Sequence, residues 1–207
     1  MKRDLRTILV ILMSVSLMIL AGCGGGSTEP EPEVPETPKV EGIGIHHAEI
    51  DIADYGTVSL ELDGDTAPIT VQNFMDLASS GFYDGLTFHR IIDGFMIQGG
   101  DPNGDGTGGS GNNIVGEFAA NGYENNIEHV KGVISMARAQ DPNSASSQFF
   151  IMVADAPHLD GQYAAFGHVT SGQEVVDNIA ADAQPLDSNG TIATEDQPVI
   201  TAVRIID

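Results

Sequence analysis

Residues 88–101 read FHRIIDGFMIQGGD, and the stretch is answered further along by Ser147-Gln148-Phe149-Phe150 and by Leu159-Asp160-Gly161. Together they supply apolar side chains (Phe95, Met96, Phe150, Leu159), one amide (Gln98) and one cation (Arg90). No activated nucleophile, metal cluster or carboxylate pair accompanies them, so the set suits hydrolysis poorly. From composition alone such aromatic and methionine side chains are more often core than pocket.

Outward from this stretch the pattern is mainly β. Residues 43–52 and 57–62 alternate apolar and polar side chains around Asp54-Tyr55-Gly56, which predicts an antiparallel hairpin. Short β-rich runs at 87–92, 95–98, 132–137, 148–152, 166–169 and 199–205 are divided by glycine-rich loops. Two helices interrupt them. Thr66 before Ala67-Pro68, then Val71, Phe74, Met75 and Ala78 at helical spacing, predicts an N-capped amphipathic helix with proline in its first turn. A second is expected over 172–181. Many short strands with two helices suggest a closed antiparallel barrel, which leaves no exposed edge.

These motifs, matching in order over residues 46–207, resemble the cyclophilin-type peptidyl-prolyl cis/trans isomerases. The resemblance implies an eight-stranded closed antiparallel β-barrel capped by two α-helices, and catalysis without a cofactor on X-Pro bonds of polypeptides. It implies Arg90, Phe95 and Gln98 as catalytic residues, with Gln98 binding the substrate carbonyl. It implies a substrate groove formed by Met96, Gly106, Ala137, Arg138, Ala139, Gln148, Phe150, His158, Leu159 and Tyr163, with residue 138 acting largely through its main chain. Three positions depart from the pattern. Arg138 stands where asparagine is frequent, which bears on preference for acidic flanking residues. His158 stands where tryptophan is frequent, which bears on cyclosporin binding. Tyr163 replaces a frequent histidine but keeps an aromatic body with a polar tip.

The physical chemistry of the residues agrees with that reading. Rotation about an X-Pro amide has a barrier of about 18–20 kcal/mol, and the twisted state localises a lone pair on the prolyl nitrogen. A donor aimed at that nitrogen stabilises the twisted state above both planar ones. Arg90 is the candidate, because a guanidinium is forked, rigid and always charged. The competing class is a non-catalytic proline-peptide binder or holdase on the same fold, which could dispense with the arginine. A solute-binding lipoprotein of a transporter is disfavoured, since the chain lacks the length for two lobes.

The first 22 residues read as a signal: Lys2, Arg3 and Arg6 precede an apolar run over 8–20 and then Leu20-Ala21-Gly22-Cys23. That ending resembles a bacterial lipobox, with Cys23 as the lipidated new N-terminus. Cys23 is the single cysteine, so the folded part forms no disulfide. Residues 23–45, centred on GGGSTEPEPEVPETPKVE (24–41), read as a linker too poor in apolar groups to order itself, reaching about 50 Å if extended at about 3.1 Å per residue. The expected protein is therefore extracytoplasmic, monomeric and lipid-anchored to the bacterial cell membrane. Net charge is −22, and −24 once the three positive and one negative side chains of residues 1–22 are removed. Such a field repels nucleic acid.

Other signals carry less. Asp101-Pro102-Asn103-Gly104-Asp105-Gly106 matches the first half of a calcium loop, but Asn112 stands at its twelfth position and no helix precedes it. His46 and His47 are adjacent and point to opposite faces of a strand, and His89, His129, His158 and His168 show no ligand spacing, so no metal is expected. Ser144, Ser146 and Ser147 lack a recognisable base.

Overall fold

The computed structural model describes residues 41–207. The signal segment, Cys23 and most of the proline-glutamate linker lie outside the described residues. Near the start of the described residues Ile43 N donates to Gly64 O at 3.0 Å.

Among the described residues eight strands run β1 Ile45–Ile52, β2 Gly56–Asp63, β3 Thr87–Ile92, β4 Met96–Asp101, β5 Val133–Met136, β6 Phe149–Met152, β7 Ala165–Ser171 and β8 Ile200–Ile205. They form one antiparallel sheet in the order β3-β4-β6-β5-β7-β2-β1-β8. Each expected strand is present, with bounds displaced by a residue or two or, for β4, extended by three at its C-terminal end.

The sheet is a curled half-barrel, and the expected closed barrel is not formed as a continuous ladder. β3 and β8 meet only near one end, through the Thr87–Val199 bridge and through Ile200 N donating to Leu86 O at 2.7 Å. Beyond that point another segment takes the edge of β3. Ile91 N donates to Gly190 O at 2.8 Å and Ile192 N to His89 O at 3.0 Å. The edge is thus protected by a loop instead of by β8, which satisfies the same backbone groups.

Helix α1 (Pro68–Ser79) carries Val71, Phe74 and Ala78 into the interior, where Phe74 meets Tyr83, Phe149 and Phe166 at centroid distances of 5.2, 5.7 and 5.4 Å. Helix α2 (Gln173–Asp182) buries Val175, Val176, Ile179 and Ala180. The cap of α1 differs from expectation. Ala67 is the N-cap and makes no side-chain bond, while Thr66 Oγ1 donates to Asp63 Oδ2 at 2.7 Å. Proline at the first helical position places Thr66 one residue too early to cap. The exposed helix N–H groups are satisfied from a distant loop. Buried Glu117 accepts from Ile69 N (3.1 Å), Thr70 N (2.7 Å) and Thr70 Oγ1 (2.7 Å), where the helix dipole also favours a carboxylate.

Candidate active site

Strand register decides which residues share a face. Ile91, Ile97, Ile151 and Ile134 pair across β3, β4, β6 and β5, and all four belong to the interior core. The adjacent row is Arg90, Gln98, Phe150 and Ser135, and another is Ile92, Met96 and Met152. Side chains alternate faces along a strand, so these rows lie on the outer side of the sheet. They found a second apolar cluster there, with Met96, Phe150, Met152, Leu159 and Ala165 buried and Phe95, Ala137 and Tyr163 packed on it. The ambiguity between core and pocket is thereby resolved by register.

Two bulges aim the polar members. Phe88 pairs with Gly99 and Arg90 with Gln98, leaving His89 as the extra residue of β3; Thr87 pairs with Asp101, leaving Gly100 as the extra residue of β4. Gly100 has φ of 80°, and a Cβ there would lie 2.6 Å from Ser147 O. Glycine is required at this position.

Over the outer cluster lies a cavity of about 230 Å³, lined by Arg90, Phe95, Met96, Gln98, Ala137, Arg138, Phe150, Leu159 and Tyr163. A neighbouring cavity of about 400 Å³ shares Gln98, Ala137 and Arg138 and adds Gly106, Ala139 and Gln148 together with the 107–111 loop. His158 lines neither; it is exposed and stacks on Phe95 at 5.8 Å. All the other residues singled out for the groove are brought together.

A hydrogen-bonded chain joins the two cavities. Arg90 Nη1 donates to Gln98 Oε1 at 3.1 Å, Gln98 Nε2 to Gln148 Oε1 at 2.9 Å, and Gln148 Nε2 to Gly108 O at 2.8 Å and Gly106 O at 3.1 Å. Arg90 Nε donates to Asn189 O at 2.8 Å. The network fixes both amide orientations and leaves one hydrogen of Gln98 Nε2 and both of Arg90 Nη2 without an acceptor among the described residues. Desolvation lowers the Arg90 pKa from its ordinary value, with the field of Tyr163 and Asp187 opposing that shift. A guanidinium starts so high that it remains charged at neutral pH.

Sequence reasoning missed the supports. Asp187 gathers Asn189 N, Thr191 N and Thr191 Oγ1 (2.9, 3.2 and 3.0 Å), shaping the loop whose Asn189 carbonyl holds Arg90. His129, whose side chain is wholly buried, stacks on Phe150 at 6.0 Å; its Nδ1 lies 3.0 Å from Asp160 Oδ1 and its Nε2 3.1 Å from Ser135 Oγ. Asp160 also accepts from His129 N at 2.7 Å, which ties the Pro157–Leu159 turn beneath the pocket wall. Ser135 is fully buried, so this Ser-His-Asp line is closed to substrate. Nothing local in the sequence marks such partners, since they are 6 and 31 residues apart.

The rejected signals find other roles. Asp101, 1% exposed, accepts from the backbone N–H of Asn103, Asp105 and Gly106 at 2.8, 3.2 and 2.6 Å, so it closes its own loop. Among the described residues no group of three or more His, Cys, Asp or Glu could hold a metal ion. Ser147 Oγ donates to Gly100 O, and Ser144 Oγ to Asp141 O.

The cyclophilin type peptidyl-prolyl cis-trans isomerase family model matches residues 47–206. The chain belongs to this family. Peptidyl-prolyl cis-trans isomerase B of Bacillus subtilis is 44% identical over 144 residues, covering 70% of this cyclophilin and 92% of the relative. Peptidyl-prolyl cis-trans isomerase-like 1 of Rhizopus delemar is 49% identical over 122 residues, covering 58% and 72%. A crystal structure of a Cryptosporidium parvum cyclophilin type isomerase superposes with a TM-score of 0.69 at 31% identity, covering 79% of this chain and 98% of that one. A second structure of it, in the presence of the dipeptide ala-pro, gives 0.68. The cyclophilin described here is a peptidyl-prolyl cis-trans isomerase.

Proposed function

We propose that this isomerase works by holding the proline ring in the 230 Å³ cavity while Arg90 donates to the prolyl nitrogen as the amide twists. The observation that carries the assignment is the fork of Arg90. Nε and Nη1 are spent on Asn189 O and Gln98 Oε1, so the group is pre-aimed and its Nη2 hydrogens have no acceptor among the described residues. Gln98, whose oxygen is occupied by Arg90, turns its remaining N–H toward a substrate carbonyl. Phe95, Met96, Phe150 and Leu159 grip the ring, with Tyr163 at the edge; Ala137, Arg138 and Ala139 lie along the peptide, Gln148 and Gly106 line the next subsite, and His158 flanks Phe95 at the rim. No covalent step is needed, for a millionfold acceleration asks for about 8 kcal/mol of differential stabilisation.

The site of action is part of the same proposal. Residues 1–22 direct export, Cys23 is lipidated, and residues 23–45 hold a monomeric domain away from a bacterial membrane, where exported proline-containing polypeptides are the substrates. The Leu-Ala-Gly-Cys spacing and the single cysteine support this. Isomerisation of an X-Pro peptide, measured beside Arg90→Ala, tests the mechanism. Folded Arg90→Ala enzyme with undiminished activity would exclude the assigned donor.

A further inference from the structure

The described residues from 46 on contain four basic side chains, Arg90, Lys131, Arg138 and Arg204, against 24 acidic ones. Two of the four are paired with carboxylates and line neither cavity. Lys131 Nζ lies 2.7 Å from Asp177 Oδ2, and Arg204 pairs with Glu49 at 2.8 Å and with Asp51. Arg90 and Arg138 have no carboxylate partner among the described residues, and both line the groove.

Arg138 is held there by neutral groups. Nε and Nη2 donate to Gln162 O at 3.1 and 2.9 Å, and Nη1 donates to Ala139 O at 2.9 Å and Gln140 O at 3.3 Å. Its guanidinium carbon stands 4.8 Å from the Tyr163 ring centroid and 5.1 Å from that of Phe118. Carbonyls and ring faces fix a cation without cancelling its unit charge, and one Nη2 hydrogen stays unassigned. The wall it occupies is common to both cavities. The carboxylate nearest to it along the chain, Asp141, accepts from Asn143 N at 2.9 Å and makes no ion pair with Arg138.

We propose that Arg138 selects peptides carrying a carboxylate within two residues of the proline, so the preferred substrates are acidic proline-containing segments. This rests on the isomerase reading of the groove. The acidic exterior does not oppose it at contact range, because charges beyond about 8 Å are largely screened at physiological salt. The uncompensated cation therefore decides local preference.

The test uses the whole chain in a mild non-ionic detergent. Alanine-based peptides with one proline carry Glu, Gln or Lys at each of the two positions before and after it. Dissociation constants come from NMR titration, and catalysis from exchange spectroscopy on the same samples. At one or more positions Glu is expected to bind about fivefold or more tighter than Gln, with Lys weakest and the ratio shrinking as salt is raised. In Arg138→Gln the Glu-to-Gln ratio should fall to about one, while Arg138→Lys retains part of it. Equal binding of Glu and Gln peptides at every position, or a preference that survives in Arg138→Gln, overturns the proposal. Exchange spectra without catalysis would refute the isomerase reading separately, since the ratio of dissociation constants does not depend on turnover.

Discussion

Replacing Arg90 by alanine isolates the step on which catalysis depends. In the wild type the half-buried guanidinium is anchored by Asn189 O at 2.8 Å and Gln98 Oε1 at 3.1 Å. Two routes give the magnitude. A hydrogen bond from a charged donor contributes about 1.5–3 kcal/mol net, and removing one pre-aimed donor from a transition-state site costs about 2.7–4 kcal/mol. The ranges meet near 3 kcal/mol, about 150-fold in rate, and loss of the anchor on Gln98 adds to it. We therefore expect kcat/KM to fall about 10²- to 10³-fold, mostly through kcat, because the apolar slot that binds the planar ground states is untouched. Arg90→Lys should regain about tenfold over alanine: the charge returns, but one ammonium cannot serve both anchors with the same geometry. The assay is isomerisation of a single X-Pro peptide at low temperature, where the uncatalysed background is slow. Circular dichroism and urea denaturation establish that the variants fold. A folded Arg90→Ala enzyme within about threefold of wild type, a difference of under about 1 kcal/mol, would refute the donor argument.

Three further outcomes follow from other parts of the molecule. Glu117→Ala removes three short bonds from the buried start of α1 and leaves N–H groups without partners; urea denaturation should show a loss of about 3 kcal/mol, and Glu117→Gln a smaller one. Burial lowers the pKa of both His89 and His129. The unfolded chain then binds more protons below about pH 6.5, so stability is complete above that value and declines as pH falls toward the folded-state values. His89, whose two ring nitrogens lack partners among the described residues, should make stability fall as pH drops below about 6.5, and His89→Asn should flatten that fall. An unchanged slope in that variant would count against neutral burial of the ring. Cys23→Ser should abolish incorporation of a labelled fatty acid into the chain without altering peptide isomerisation; incorporation that survives the change would exclude Cys23 as the anchor.

Much of the fold was legible locally. The eight β-rich runs and both helices could be read because period-2 and helical patterns are properties of short segments. Arg90, Phe95, Met96 and Gln98 were legible as a set because they fall within nine residues on one hairpin. Their apolar members could not be assigned to core or groove from pattern, since either environment selects the same residue types. Pairing of Gln98 with Phe150, and of Ile97 with Ile151 one residue away, made that choice.

The sequence by itself determined the strand and helix inventory, the acidic balance and the isolated cation of the hairpin, all of which follow from residue type and near-neighbour spacing. Tertiary structure alone decided that the sheet stays open and that residues 190 and 192 cover the edge of β3. It also brought Glu117 to the start of α1, His129 under Phe150, and Asn189 behind Arg90. These contacts join residues 21 to 99 positions apart. A hydrogen bond of that kind needs only a donor and an acceptor brought within about 3 Å, and many side chains satisfy that requirement until the fold brings one pair together.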